Sequence, residues 1–278
     1  MTGAIVGDII GSAYEFSGQK RYDFEMLPQG SRFTDDTVMT IAVAHWLVRY
    51  GREGHPKDKL IEIMQEFGRK YPFAGYGSSF NSWLWSENPQ PYNSWGNGAA
   101  MRVSPVGLYA DTLDEALELA KRTAEVSHNH PEGIKGAQAV ASAVWMAYNG
   151  HTKDEIRDYI TCKFHYDLRR TVAEIHPTYE WDVSCQGSVP ESIICFLEGE
   201  DFEDVVRLAV SLGGDADTMA CIAGSIAVGV YPVPKSIGEK CAEILPDELS
   251  YELKELCRFF AFIRFIRDRN RGISALYD

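Results

Sequence analysis

Two short acidic runs carry the clearest chemistry in the sequence. The first is Thr34-Asp35-Asp36-Thr37, and the second is Gly213-Gly214-Asp215-Ala216-Asp217-Thr218. Each stands directly before an apolar segment with helical spacing. Asp and Thr at a helix start satisfy free N–H groups and suit the positive end of the helix dipole. One Asp is enough for that, and each start here has two. Paired carboxylates beside a core repel one another and lose hydration. A divalent cation removes both costs. Carboxylate and hydroxyl oxygens are hard ligands suited to Mg2+ or Ca2+, and Mn2+ also fits. No His or Cys flanks either run, so zinc is not expected. Spacing alone leaves capping and metal binding both open. It does not show that the two runs meet in space.

The elements that must hold these runs are helical. Val38, Ile41, Ala42, Val43, Trp46 and Leu47 form one apolar face, and Leu113, Ala116, Leu117, Ala120 and Ala124 form another. Thr112 with Glu115, and Thr152 with Glu155, fit the pattern of a Thr cap and a Glu three residues on. Helices are predicted at about 37–49, 133–149, 201–212, 216–230 and 251–268, with Gly213 and Gly214 stopping the one at 201–212. Alternation with period two is scarce, and Tyr179–Val183 is the best candidate for a short strand. The expected fold is all-α, a compact helix bundle in one domain over residues 1–278. Segment 72–98 breaks the helical texture. It is dense in Gly, Ser, Asn and aromatic residues and reads as a long, functional loop.

Bulk composition narrows the class. Hydrophobic residues make up 45% of the 278, enough to bury a core without staples. The net charge of -13 argues against binding to duplex nucleic acid, although metal ions can still bring a phosphate-bearing ligand to an acidic site. Six cysteines are scattered without a C-x-x-C pair, as expected of reduced thiols in a cytoplasmic protein. Met1–Phe16 lacks a basic start and carries Asp8 early, so a signal peptide is not expected. The apolar run Met219–Tyr231 is too short to span a bilayer. A monomer with no membrane association is the expectation.

Five segments together resemble the ADP-ribosylglycohydrolase family, which includes the dinitrogenase-reductase-activating glycohydrolases. The opening Gly3-Ala-Ile-Val-Gly7-Asp8-Ile-Ile-Gly11-Ser12-Ala-Tyr-Glu15 looks like the family's first helix, with Glu15 at an acidic active-site position. The runs at Thr34–Thr37 and Gly213–Thr218 are similar to its two metal motifs. Ser94-Trp95-Gly96-Asn97-Gly98-Ala99-Ala100-Met101-Arg102 resembles its Gly-Asn-Gly substrate loop. Ser127-His128, with Gly136-Ala137 downstream, looks like its histidine motif. The segments occur in the family's order, and residues 232–278 add no motif.

The resemblance implies an all-α fold and a centre of two Mg2+ ions, or Mn2+, held by Thr34, Asp35, Asp36, Asp215, Asp217 and Thr218. It implies Glu15, Asp35, Asp36 and Asp217 as catalytic residues. Ser94, Trp95, Gly96, Asn97, Gly98 and His128 would bind substrate: the glycines through backbone N–H groups on the diphosphate, Trp95 by stacking on adenine, and His128 on the phosphate or ribose side. The reaction implied is hydrolysis of the bond joining ADP-ribose to a protein arginine or serine, or to a related small adduct. Structural readings stand beside these. Trp95 could anchor its loop in the core, His128 could be structural, Arg102 is expected to pair with a carboxylate, and His130 to start a helix. Asp8 is a lesser candidate behind the ligands. Phe80 and Trp83 are expected to pack on helices. Two other functions fit the same residues: a non-catalytic ADP-ribose-binding relative, and a metal-dependent phosphohydrolase of nucleotides.

Overall fold

A computed structural model of the protein describes residues 1–274. The chain runs through α1 (Thr2–Gly11), α2 (Asp35–Tyr50), α3 (Lys57–Lys70), α4 (Ser78–Trp85), α5 (Gly98–Met101), α6 (Ser104–Tyr109), α7 (Leu113–Glu125) and α8 (Pro131–Tyr148). It continues through α9 (Lys153–Phe164), α10 (Val172–Ile175), α11 (Cys185–Glu198), α12 (Phe202–Ser211), α13 (Ala216–Ala227), α14 (Lys235–Ile244) and α15 (Asp247–Ser274). The all-α expectation holds. The expected single domain extends to residue 278, and its last residues, 275–278, lie outside those described.

The closest approach of two helices sets the geometry of the site. Gly3, Gly7 and Gly11 repeat every fourth residue along α1, so they line one face. They meet Ala216, Ala220 and Gly224, spaced alike along α13. A Cβ at Gly7 would stand 2.1 Å from the carbonyl oxygen of Ala220, and one at Gly11 would stand 2.3 Å from that of Ala216. No side chain fits there, so glycine at these positions lets the two backbones touch. Asp8, between two of these glycines, is thereby carried to the N-terminal turn of α13, where Asp217 sits. Helix α2 packs on both, and its buried face includes Val38, Ile41, Ala42 and Trp46.

Local signals explain the helix ends. Thr34 caps α2 by accepting from Asp36 N–H, and Thr152 with Glu155 forms a complete capping box on α9. Thr112 also caps α7, but Glu115 reaches back to Asp111 N–H rather than to Thr112 itself. Gly213 ends α12 in the left-handed region at φ +72°, which an L side chain resists.

Two expectations are corrected. Segment 72–98 contains α4, because Phe80, Trp83 and Leu84 recur at helical spacing and all three are buried. The residues around Tyr179–Val183 form no strand. Only Ser184 pairs, through an isolated antiparallel bridge to Gly96, and a lone bridge gives a strand no partner to extend along. Helix α11 was hidden in the sequence by Gly187 and by Pro190, which sits inside it. Cys185, Cys195, Cys221 and Cys241 are buried free thiols, and Cys162 is exposed. Among the described residues, no helix is long and apolar enough to cross a membrane.

Candidate functional site

The two acidic runs meet. Thr218 Oγ1 donates to Asp36 Oδ2 at 3.2 Å, across 182 positions of chain. Asp8, Asp36 and Asp217 each place an oxygen within 4.8 Å of the others, and Glu15, Asp215 and Asp217 do the same. Asp217 belongs to both triads. Glu15, Asp36, Asp215 and Asp217 line a cleft of about 450 Å³ whose walls include Asp35, Ser94, Gly96, Asn97, Gly98 and His128, and Asp8 lies behind them.

Each carboxylate is held from a different element. Asp8 accepts from Thr34 N–H at 3.0 Å and Thr34 Oγ1 at 2.7 Å, and from Thr37 N–H at 3.1 Å and the Thr37 hydroxyl. Four donors from the start of α2 thus close on one residue of α1. Asp215 accepts from Asn97 Nδ2 at 2.7 Å, which ties the Gly-Asn-Gly segment to the start of α13. The turn before Asp215 is fixed from outside the cleft. Lys20 Nζ donates to the carbonyl oxygens of Leu212 at 2.5 Å, Tyr179 at 2.7 Å and His176 at 2.9 Å. Glu15 lies in the turn after α1, half-buried, with Arg32 3.5 Å away.

The electrostatics are those of crowded acids. Burial pushes Asp35, Asp36 and Asp217 well above the usual carboxylate range, and neighbouring carboxylates push them further. Burial, then the charge of Asp217, raises Glu15 to about 7. Asp215 rises to about 6 by burial, moderated by its hydrogen bonds from Asp217 and Asn97. Asp8 is raised by burial too, against the pull of its four donors. Asp36 Oδ1 is buried without a hydrogen-bond partner. An orphaned carboxylate oxygen facing other carboxylates is costly unless a cation takes it. The oxygen-only donor set fits hard divalent ions such as Mg2+ and Mn2+.

The sequence-predicted residues take the following places. Asp36, Asp215, Asp217 and Glu15 are in the triads, and Thr218 contacts Asp36. Asp35 lines the same cleft but belongs to neither triad. Thr34 Oγ1 is engaged with Asp8 and with Asp36 N–H. Two N–H groups of the Gly-Asn-Gly segment are already used: Gly96 N–H donates to Ser94 Oγ at 3.1 Å and Asn97 N–H to the Val183 carbonyl at 2.8 Å. Trp95 is neither in the core nor among the cleft-lining residues. It is half-exposed, with its ring edge-on to His130 at 5.4 Å. The cause is local: Cys185 N–H donates to the Trp95 carbonyl at 2.8 Å, and the bridge at Gly96 turns the neighbouring side chain outward. His128 is buried and lines the cleft, and His130 caps α8 as expected.

Arg102 is corrected. It pairs with no carboxylate: Nη2 donates to the Thr123 carbonyl at 2.7 Å and to Ser127 Oγ at 2.8 Å, and Phe80 lies under its guanidinium. Phe80 and Trp83 stack 5.3 Å apart, and Phe80 also lines the cleft. Sequence reading undervalued Asp8, whose apolar neighbours masked it, and missed Phe16 and Trp181. These two rings lie 6.0 Å apart at the cleft mouth, both largely exposed. A tryptophan within the short run 179–183 was the available signal.

Comparison with known proteins gives the family. The chain is 28% identical to human ADP-ribosylhydrolase ARH3, with 87% of each chain covered. It is 23% identical to ADP-ribosylarginine hydrolase Tri1 of Pseudomonas putida, over 84% of this chain and 70% of that one. A solved ADP-ribosylglycohydrolase-related protein complex has the same fold, with a TM-score of 0.64 at 23% identity, over 92% of this chain and 98% of that chain. The sequence profile of the ADP-ribosylglycohydrolases matches residues 1–267, and the chain belongs to that family.

Proposed function

We propose that the chain hydrolyses the glycosidic bond between ADP-ribose and a modified protein side chain, with two divalent ions at the cleft floor. Family membership and the names of the relatives support ADP-ribosyl hydrolysis. The observation that carries the two-ion reading is that two triads of carboxylate oxygens share Asp217.

Asp8, Asp36 and Asp217 would hold one ion, and Glu15, Asp215 and Asp217 the other, with Mg2+ or Mn2+ as the ions. Asp35 and Thr218 stand close enough to the centre to complete the set from the cleft side. Bound there, such ions orient sugar hydroxyls and make hydroxide available from water near neutral pH.

The chain's own groups supply the rest. The bond broken leaves oxocarbenium character on the ribose, which the carboxylates beside it favour. Glu15 sits at the edge of the acidic cluster, where it can take the proton that the attacking water gives up and pass it to the side-chain nitrogen or oxygen that leaves. Asn97 fixes Asp215 with its side chain, so the part of that segment left to meet a phosphate oxygen is Gly98, at the start of α5. Phe16 and Trp181 offer flat faces at the mouth, for adenine or for the modified target.

Arginine- and serine-linked ADP-ribosyl peptides offered side by side test the reading, with mass analysis of products in Mg2+ and in EDTA. Release of intact ADP-ribose that needs the metal is expected. Binding of ADP-ribose without turnover would make the chain a binding relative, and release of phosphate from nucleotides would make it a phosphohydrolase.

A further inference from the structure

A line of three buried groups, Arg102, Ser127 and His128, runs along the cleft wall. Arg102 is fully buried, and its Nη2 spends both hydrogens, one on the Thr123 carbonyl at 2.7 Å and one on Ser127 Oγ at 2.8 Å. Ser127 Oγ in turn lies 2.8 Å from His128 Nδ1. His128 Nε2 faces the other way. It stands 3.0 Å from where a Cβ on Gly98 would be and 3.6 Å from one on Gly96. His128 lines the cleft on that side.

Counting donors fixes the protons. A guanidinium has no acceptor, so Ser127 Oγ must accept from Arg102. The hydroxyl keeps one hydrogen to give, and among the described residues His128 Nδ1 is the one acceptor hydrogen-bonded to it. Nδ1 is then an acceptor, and the single imidazole hydrogen resides on Nε2. A cationic imidazole would bring a second positive charge up to Arg102 in a buried place. Burial, with Arg102 second, holds His128 neutral well below its usual range.

The geometry points to Arg102 as a positioning residue that acts through Ser127 to lock His128 in its neutral, Nε2-protonated form. His128 is thereby a fixed hydrogen-bond donor into the cleft beside Gly98, suited to an acceptor oxygen of a phosphate or ribose and unable to serve as a proton acceptor there. This rests on the proposed function for the identity of the ligand. The tautomer itself does not.

The test is long-range 1H–15N NMR of the imidazoles in the full-length protein, with wild type, Ser127→Ala and Ser127→Thr. Wild type is expected to show His128 with hydrogen on Nε2 alone and no titration near the usual histidine pKa of about 6.5. Ser127→Ala is expected to let the Nδ1-protonated form appear, and Ser127→Thr, which keeps the hydroxyl, to restore the wild-type pattern. With an ADP-ribosyl substrate, the loss in Ser127→Ala is expected to fall on KM, about tenfold for one hydrogen bond. An Nδ1-protonated or cationic His128 in wild type would overturn the inference, and so would a tautomer unchanged in Ser127→Ala. The NMR readout needs no turnover. The expected tautomer in a protein that hydrolyses no ADP-ribosyl adduct would leave this inference standing and sink the proposed function.

Discussion

Asp8 on α1 and Asp217 on α13 share one cluster of carboxylate oxygens within 4.8 Å, and the close contact of their helices at Gly7 and Gly11 lets them do so. Fold and site are therefore the same fact. The side chains omitted at Gly3, Gly7 and Gly11 bring the acids together, and burial and mutual repulsion of the acids in turn disfavour that close packing.

Gly7→Val tests the first half. Its Cβ would enter the space of the Ala220 carbonyl, which is backbone and cannot turn aside. Destabilisation of about 3 kcal/mol is expected, at the upper end for overpacking. Urea denaturation measures it. A change under about 1 kcal/mol would mean that the two helices separate at little cost.

Asp217→Asn tests the second half, through opposite effects on stability and activity. In EDTA the variant is expected to be more stable than wild type, because it removes a charge that burial and its neighbours disfavour. In excess Mg2+ its ADP-ribosyl turnover is expected to fall by about three orders of magnitude. Thermal melts and product assays on one preparation give both signs. Normal turnover in excess Mg2+ contradicts the metal-centred reading.

The pH dependence of the metal-free protein follows from the same acids. Their folded-state pKa values lie above the unfolded ones, with Asp215 at about 6 and Glu15 at about 7. Each takes up a proton on folding, so its contribution is complete below about pH 4, the unfolded range. It is lost as pH rises through the folded values. Melting temperature in EDTA is expected to fall between about pH 4 and pH 7, and saturating Mg2+ is expected to flatten or reverse the trend. A metal-free melting temperature that climbs across this window would show that the carboxylates are not strained.

Much of this was legible in advance, for identifiable reasons. The starts of α2 and α13 announced themselves by Thr34 and by the doubled aspartates, and their apolar faces had the right period. That Asp36 and Thr218 touch was not legible from spacing, because nothing local encodes a contact across 182 positions. Family resemblance supplied that expectation. Trp95 has a type that suits stacking, whereas the structure places it beside the Gly96–Ser184 bridge and outside the cleft lining. Arg102 misled because buried arginines usually find carboxylates, and this one finds a carbonyl and a hydroxyl. Helix α4 hid behind Gly77, Ser78, Ser79 and Asn81, residues of weak helix propensity.

The aromatic rim separates two readings of substrate binding. Trp181→Ala is expected to raise KM for an ADP-ribosyl peptide by about tenfold, the loss of one stacked ring. Trp95→Ala is expected to change it by less than about twofold, because its ring faces His130 outside the cleft. The reverse order would assign the adenine to Trp95.

Lys20 is expected to matter without touching the cleft. Lys20→Met leaves the Leu212, Tyr179 and His176 carbonyls without their shared donor. A loss of about 2 kcal/mol in stability is expected, with weaker Mg2+ binding as the Gly213–Gly214 turn loosens ahead of Asp215. Calorimetric titration of Mg2+ checks the second effect, and unchanged affinity would place the clamp outside the ion site's support.

The most direct measurement is anomalous diffraction from crystals soaked in Mn2+. Two peaks are predicted, one among Asp8, Asp36 and Asp217 and one among Glu15, Asp215 and Asp217, with Asp217 contacting both. A single peak away from Asp217, or none among these carboxylates at saturating Mn2+, would contradict the account.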